Sequence, residues 1–167
     1  MTHDVVVRPG GEADLPAVAA IYTHFTLKTT VTFNTHVRTP ADWLERYRAN
    51  VVEGPYHLYV AELDGRVTGY VETGRFRGHH AYANTVETSI YVAPDGAGHG
   101  VGGALYERLF DDLADTPFHT AVAVVALPND ASCRFHERHG FVHRGTLTQV
   151  GRKFDRWIDT AYYQRDL

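Results

Sequence analysis

Three segments of the sequence carry residues whose types and spacing suit chemistry. The first is the run Ala97-Gly98-His99-Gly100-Val101-Gly102-Gly103. Its glycines leave the backbone open to a ligand. Where such a turn opens a helix, unpaired N–H groups and the helix dipole together attract an anion. The run reads either as a pyrophosphate cradle or as a flexible turn that starts a helix. No Gly-Lys-Ser/Thr follows, so it is not a P-loop. It also fits a dinucleotide fold poorly, because no early βαβ unit surrounds it and no acidic residue ends a next strand at the usual distance.

The second segment is the strand just before this turn. Alternation puts Val86, Thr88, Ile90 and Val92 on one face and Thr85, Glu87, Ser89 and Tyr91 on the other. A mid-strand carboxylate among hydroxyls is either a solvent-facing Glu or a base. Burial there raises a carboxylate's pKa toward neutrality, where it becomes a usable base.

The third segment is Asn129-Asp130-Ala131-Ser132-Cys133-Arg134-Phe135-His136-Glu137-Arg138-His139-Gly140-Phe141. Asn129 either caps a helix or gives its side-chain amide to a ligand. His136 lies two helical turns further on, so both side chains share a face. His136 is either a proton carrier near pH 7 or a packed, hydrogen-bonded histidine. A metal set of His136, His139 and His143 lacks a Cys pair or a placed carboxylate, so no metal is expected. His139 and His143 read as surface residues. Cys133 is the one cysteine, which excludes an intrachain disulfide and suits a reducing cytoplasm. Its thiol reads as a small buried side chain or as a nucleophile.

Regular elements must hold these segments in place. Val5-Val6-Val7 reads as a strand, and Glu12 to Tyr22 as a helix with Leu15, Val18, Ala19 and Tyr22 on one face. Thr39-Pro40-Ala41-Asp42 starts a second helix with an N-cap, a first-turn proline and an acid. His57 to Leu63 and Val67 to Thr73 flank Asp64-Gly65, a hairpin signal. A strand from Asn84 to Val92 leads into the glycine turn, and Leu105, Leu109 and Leu113 then mark one helical face. Ala121 to Ala126 reads as a strand buried on both sides. Asn129-Asp130 to His139-Gly140 forms the last helix. Strands near Phe141 to Val150 and Trp157 to Gln164 follow. The expected class is mixed α/β (α+β), a central, mostly antiparallel sheet flanked by helices.

The 167 residues suit one domain, 1–167, with one core. With 44% hydrophobic and 22% charged residues the chain is not expected to be disordered. A net charge of −4 offers no basic footprint, so no nucleic acid partner is expected. No apolar run approaches the ~18 residues of a membrane span, so no membrane partner is expected. Met1-Thr2-His3-Asp4 lacks the basic and apolar regions of a signal peptide.

Taken together, these segments resemble the GNAT superfamily of N-acetyltransferases along essentially the whole chain. The opening run Arg8 to Val18, the turn from Ala97 to Gly102 and the segment Asn129 to Phe141 each match a superfamily motif. Four further runs resemble the phosphinothricin and methionine sulfoximine N-acetyltransferases. They are Thr30 to Asn34, Ala81-Tyr82 with Thr85 to Val92, Leu127 to Asp130, and Val150 to Trp157. Two departures stand out. Ala97 replaces the usual Gln or Arg of the acyl-CoA loop, and His79 stands where that branch has a second Arg.

The resemblance implies a sheet that splays near its middle, with acetyl-CoA as co-substrate and no metal. It implies pyrophosphate on the amides from Gly98 to Gly103 and pantetheine along Tyr91 and Val92. Asn129 would hold the pantetheine amide, and Ile90 or Val92 would supply an oxyanion-stabilising N–H. Glu87 is the implied general base and His136 a proton relay or the acid for the CoA thiolate. Phe33, Arg77, His79, Tyr82, Thr85 and Ser89 are the implied contacts to a small amino-acid-like amine, with Arg77 gripping its carboxylate. A polyamine, an aminoglycoside or a protein N-terminus is the alternative acceptor, and a non-catalytic acyl-CoA sensor the alternative class. The resemblance also suggests a homodimer.

Overall fold

The computed structural model describes residues 4–167. Met1–His3, which carry most of the reading that no signal peptide is present, lie outside the described residues. The chain divides into two compact units. The first holds residues up to Thr23, Arg38–Gly74 and Thr88–Thr116, and the second His24–Val37, Arg75–Glu87 and Pro117–Leu167.

In the first unit, β1 (Val5–Pro9) pairs antiparallel with β2 (Leu58–Leu63), and β2 with β3 (Arg66–Arg75). Asp64 and Gly65 have φ of 52° and 78°, the two left-handed residues of a tight hairpin turn. Helix α2 (Pro40–Tyr47) starts as expected. The Asp42 N–H donates to Thr39 Oγ1 at 3.2 Å, and the Thr39 N–H donates to Asp42 Oδ2 at 2.8 Å. Helix α3 (Val101–Leu113) buries Leu105, Leu109 and Leu113 completely, and it packs on β1 and β2. The Arg8 guanidinium donates to both Asp14 and Glu62, fastening β1 to its neighbours in space.

Two long elements belong to both units. Helix α1 (Leu15–Lys28) leaves the first unit after Thr23, and it runs six residues past the expected end at Tyr22. Burial of Thr26 holds the extension where the apolar period has lapsed. Strand β4 (Thr85–Val92) gives Thr85–Glu87 to the second unit and Thr88–Val92 to the first.

In the second unit, β4 pairs in parallel with β5 (Thr120–Ala126) from Thr85↔Thr120 to Glu87↔Val122. Strand β7 (Arg156–Asp166) pairs antiparallel with β5 and with β6 (Val142–Lys153), and helix α4 (Asp130–Arg138) packs on β5 and β6. The hydrogen-bonded order β1-β2-β3-β4-β5-β7-β6 is therefore mixed and mostly antiparallel. Strands β6 and β7 are longer than their sequence suggests. They meet at a two-residue turn, Phe154-Asp155, with φ of 50° and 58°. Neither residue is the Asn or Gly that announces such a turn.

Candidate active site

The first unit carries the expected cofactor segment. Ala97, Gly98, His99 and Gly100 are exposed and lead into α3, whose first residue, Val101, is buried. Gly98 and Gly100 both have φ of 80°. A Cβ at either would meet open space, so it is the left-handed backbone that asks for glycine, and a ligand can approach. The first intrahelical bond runs from the Ala104 N–H to the Gly100 carbonyl at 3.0 Å. The amides of Val101, Gly102 and Gly103 thus belong to the first turn, which carries no acidic residue. Gly69 on β3 makes this placement possible, because a Cβ there would lie 2.6 Å from Val101 Cγ1.

Strand β4 shows the expected alternation in burial as far as Ser89; Ile90, Tyr91 and Val92 are all half-buried. Val86 and Thr88 are buried, while Thr85, Glu87 and Ser89 are half-buried. Thr88 Oγ1 lies 3.2 Å from the Tyr106 hydroxyl of α3. Tyr91 packs edge-on against Tyr22 at 5.2 Å and stacks on Tyr70 at 5.5 Å, which fixes the strand beside Ile90 and Val92.

The second unit carries the expected catalytic residues. Glu87 stands opposite Val122 of β5, and α4 with His136 packs against the same β5. Glu87 is half-buried. Asn129 caps α4, its Oδ1 accepting from the Ser132 N–H at 3.1 Å, so the cap uses the oxygen of its amide and not the nitrogen. His136 is 5% exposed, between the rings of Phe141 and Tyr163. Its Nδ1 lies 2.8 Å from the Ser132 carbonyl oxygen. A carbonyl only accepts, so Nδ1 carries the hydrogen and the neutral ring keeps its lone pair at Nε2. Burial pushes the His136 pKa below its usual 6.5, so the resting ring is neutral.

The expected acceptor residues other than Ser89 lie in this unit. Arg77 is exposed, its guanidinium 4.7 Å above the Phe76 ring, and Phe76 meets Tyr82 edge-on at 5.5 Å. His79 and Tyr82 are exposed on the same loop, closed by the Tyr82 N–H donating to the His79 carbonyl at 3.0 Å. Phe33 belongs to the loop between α1 and α2, and its ring lies on Gly151 of β6. Ser89 belongs to the first unit.

The three histidines are not gathered into a ligand set. His139 Nδ1 donates to the Phe135 carbonyl at 2.7 Å, and His143 Nε2 lies 2.9 Å from Thr146 Oγ1. His139 is half-buried against Phe135, not on the surface as expected. Cys133 is half-buried and hydrogen-bonded to the Tyr163 hydroxyl, whose pKa burial pushes up. Among the described residues no helix is long and apolar enough to cross a membrane. Sequence reasoning missed Lys153, which is buried in this unit. The run Val150 to Trp157 pointed to its neighbourhood but not to its burial.

Comparison with known proteins defines the class. Residues 18–141 match the model of the acetyltransferase (GNAT) family. The chain is 44% identical to a phosphinothricin N-acetyltransferase of Streptomyces coelicolor, over 99% of this chain and 98% of that protein. It is 36% identical to an L-methionine sulfoximine/L-methionine sulfone acetyltransferase of Salmonella typhimurium, over 98% and 95% of the two chains. The fold matches that of a GNAT superfamily phosphinothricin acetyltransferase from Sinorhizobium meliloti, solved with acetyl-CoA. Its TM-score is 0.93 at 32% identity, covering 100% of this chain and 89% of that one. The protein belongs to the GNAT acetyltransferase family and has its fold. It is an N-acetyltransferase, closely related to those acting on phosphinothricin and methionine sulfoximine.

Proposed function

We propose that residues 1–167 act as one domain that transfers an acetyl group from acetyl-CoA to the amino group of a small amino-acid-like acceptor. Acceptors of the phosphinothricin and methionine sulfoximine or sulfone type fit best. The observation that carries the reading is the glycine turn, two left-handed glycines opening onto first-turn amides with no acid beside them. Those amides, Gly98 to Gly103, would take the pyrophosphate. The pantetheine would run along Tyr91 and Val92, and Asn129 is assigned to its amide, through the side-chain nitrogen that the helix cap leaves unused.

Transfer is direct in this reading. An ammonium cannot attack until it loses a proton, and Glu87, alone or through water, takes it. The amine nitrogen then bonds to the acetyl carbon and the carbon–sulfur bond breaks. The N–H of Ile90 or Val92 stabilises the developing oxyanion. Attack leaves the nitrogen with a second proton to lose; the lone pair at His136 Nε2, which suits accepting a proton better than donating one at rest, takes it and passes it to the CoA thiolate. No step needs a metal. Arg77 grips the acceptor's carboxylate, and Phe33, His79, Tyr82, Thr85 and Ser89 are the further contacts assigned to the acceptor.

The exposed apolar side chains of Leu147, Val150, Phe154 and Trp157 support a homodimer. The single free thiol suits a cytoplasmic setting. Release of CoA thiol over a panel of amino acids, polyamines, aminoglycosides and an N-terminal peptide tests the reading. Turnover confined to the amino acids supports it. Turnover confined to the other amines overturns the acceptor class, and binding without turnover makes the protein a sensor.

A further inference from the structure

Lys153, at the end of β6, is the one Lys or Arg fully buried among the described residues, at 4% exposure. Its Nζ donates to the Thr32 carbonyl oxygen at 2.7 Å and lies 5.2 Å from the centre of the Phe154 ring. Among the described residues no carboxylate lies within ion-pair distance of it. An ammonium has three N–H donors, and Thr32 takes one. A buried charge without a counter-ion is costly, and burial accordingly pulls the Lys153 pKa down.

The surroundings say what this charge is near. Thr32 and Phe33 are neighbours in the loop between α1 and α2, and β6 holds that loop twice. One hold is the Lys153 hydrogen bond. The other is the Phe33 ring on Gly151, where any Cβ would run into it. A neutral donor would anchor the loop with less desolvation. A cation kept here without a carboxylate fits a role that needs the charge.

We propose that Lys153 determines acceptor specificity, its ammonium serving as counter-charge to a carboxylate or phosphinate group held beside Phe33. The inference rests on the amino-acid-like acceptor class proposed above. Arg77, which grips the acceptor's carboxylate in that reading, is exposed, so its contact stays hydrated and adds little discrimination; the buried charge of Lys153 would supply it from the Phe33 side. An anion beside Lys153 offsets the burial of a charge, and its absence is felt far more.

The test is kcat/KM for methionine sulfoximine and for its carboxamide, with acetyl-CoA saturating, in wild type, K153M, K153Q and K153R. The acid-to-amide ratio is expected to fall roughly ten- to a hundredfold in K153M and K153Q. K153R should keep most of the ratio, and acetyl-CoA affinity should be unchanged in all three. Equal losses for acid and amide would show that the lysine only anchors the loop, and they overturn the proposal. So does an unchanged ratio. If K153M does not fold, K153Q, which keeps a neutral donor toward Thr32, carries the same comparison. Wild type that acetylates neither compound, measured first, overturns the acceptor class itself and the proposal with it.

Discussion

His136 Nδ1 donates to the carbonyl oxygen of Ser132, one turn earlier in α4, at 2.8 Å. This bond sets the tautomer, and burial keeps the ring neutral by lowering its pKa from 6.5. Between that lowered value and 6.5 the unfolded chain binds a proton that the native chain does not. Stability is therefore full above about pH 6.5 and falls as the pH drops through the window below it. A His136→Gln variant should lose less melting temperature than wild type between those limits. Parallel melting curves for the two proteins would remove His136 as the titrating group.

The glycine turn predicts how the melting temperature responds to acetyl-CoA. At a hundredfold excess over Kd, a ligand that binds only the native state contributes about 2.7 kcal/mol, or roughly 5–10 °C for a chain of this size. Gly100→Leu should abolish that shift. Gly100 sits at φ of 80°, so the variant also starts from a lower melting temperature. The difference with and without acetyl-CoA is therefore the quantity to compare. A full shift in the variant would place the cradle elsewhere.

The β6–β7 turn carries strain that can be removed. Phe154 and Asp155 both adopt left-handed backbone, at φ of 50° and 58°. Replacing them with Asn-Gly should stabilise the protein by on the order of 1 kcal/mol, or roughly 2–4 °C. A lower melting temperature in thermal denaturation would mean that the Phe154 ring over Lys153 contributes more than the strain costs.

Local signals made much of this structure legible in the sequence. Thr39-Pro40-Ala41-Asp42, Asp64-Gly65 and the turn from Gly98 to Gly103 each form with the residues beside them, so spacing alone announces them. The alternation of β4 put Val86 and Thr88 on one face for the same reason, and both are buried. What failed depends on partners far away in sequence. The Phe154-Asp155 turn is imposed by pairing of Lys153 with Arg156 and of Arg152 with Trp157, not by its own residues. The burial of Lys153 had no local signal, because it depends on Thr32, 121 positions earlier. The extension of α1 to Lys28 rests on burial of Thr26, which no periodicity revealed.

The central claim is that an amine is deprotonated at Glu87 and acetylated directly from acetyl-CoA. The most direct measurement is kcat of Glu87→Gln with methionine sulfoximine, read by CoA thiol release, with acetyl-CoA affinity measured alongside by calorimetry. Loss of a general base predicts a fall of roughly ten- to ten-thousand-fold in kcat. Acetyl-CoA affinity should be unchanged, since the cradle amides are untouched. Wild-type turnover in a correctly folded Glu87→Gln protein would contradict the account.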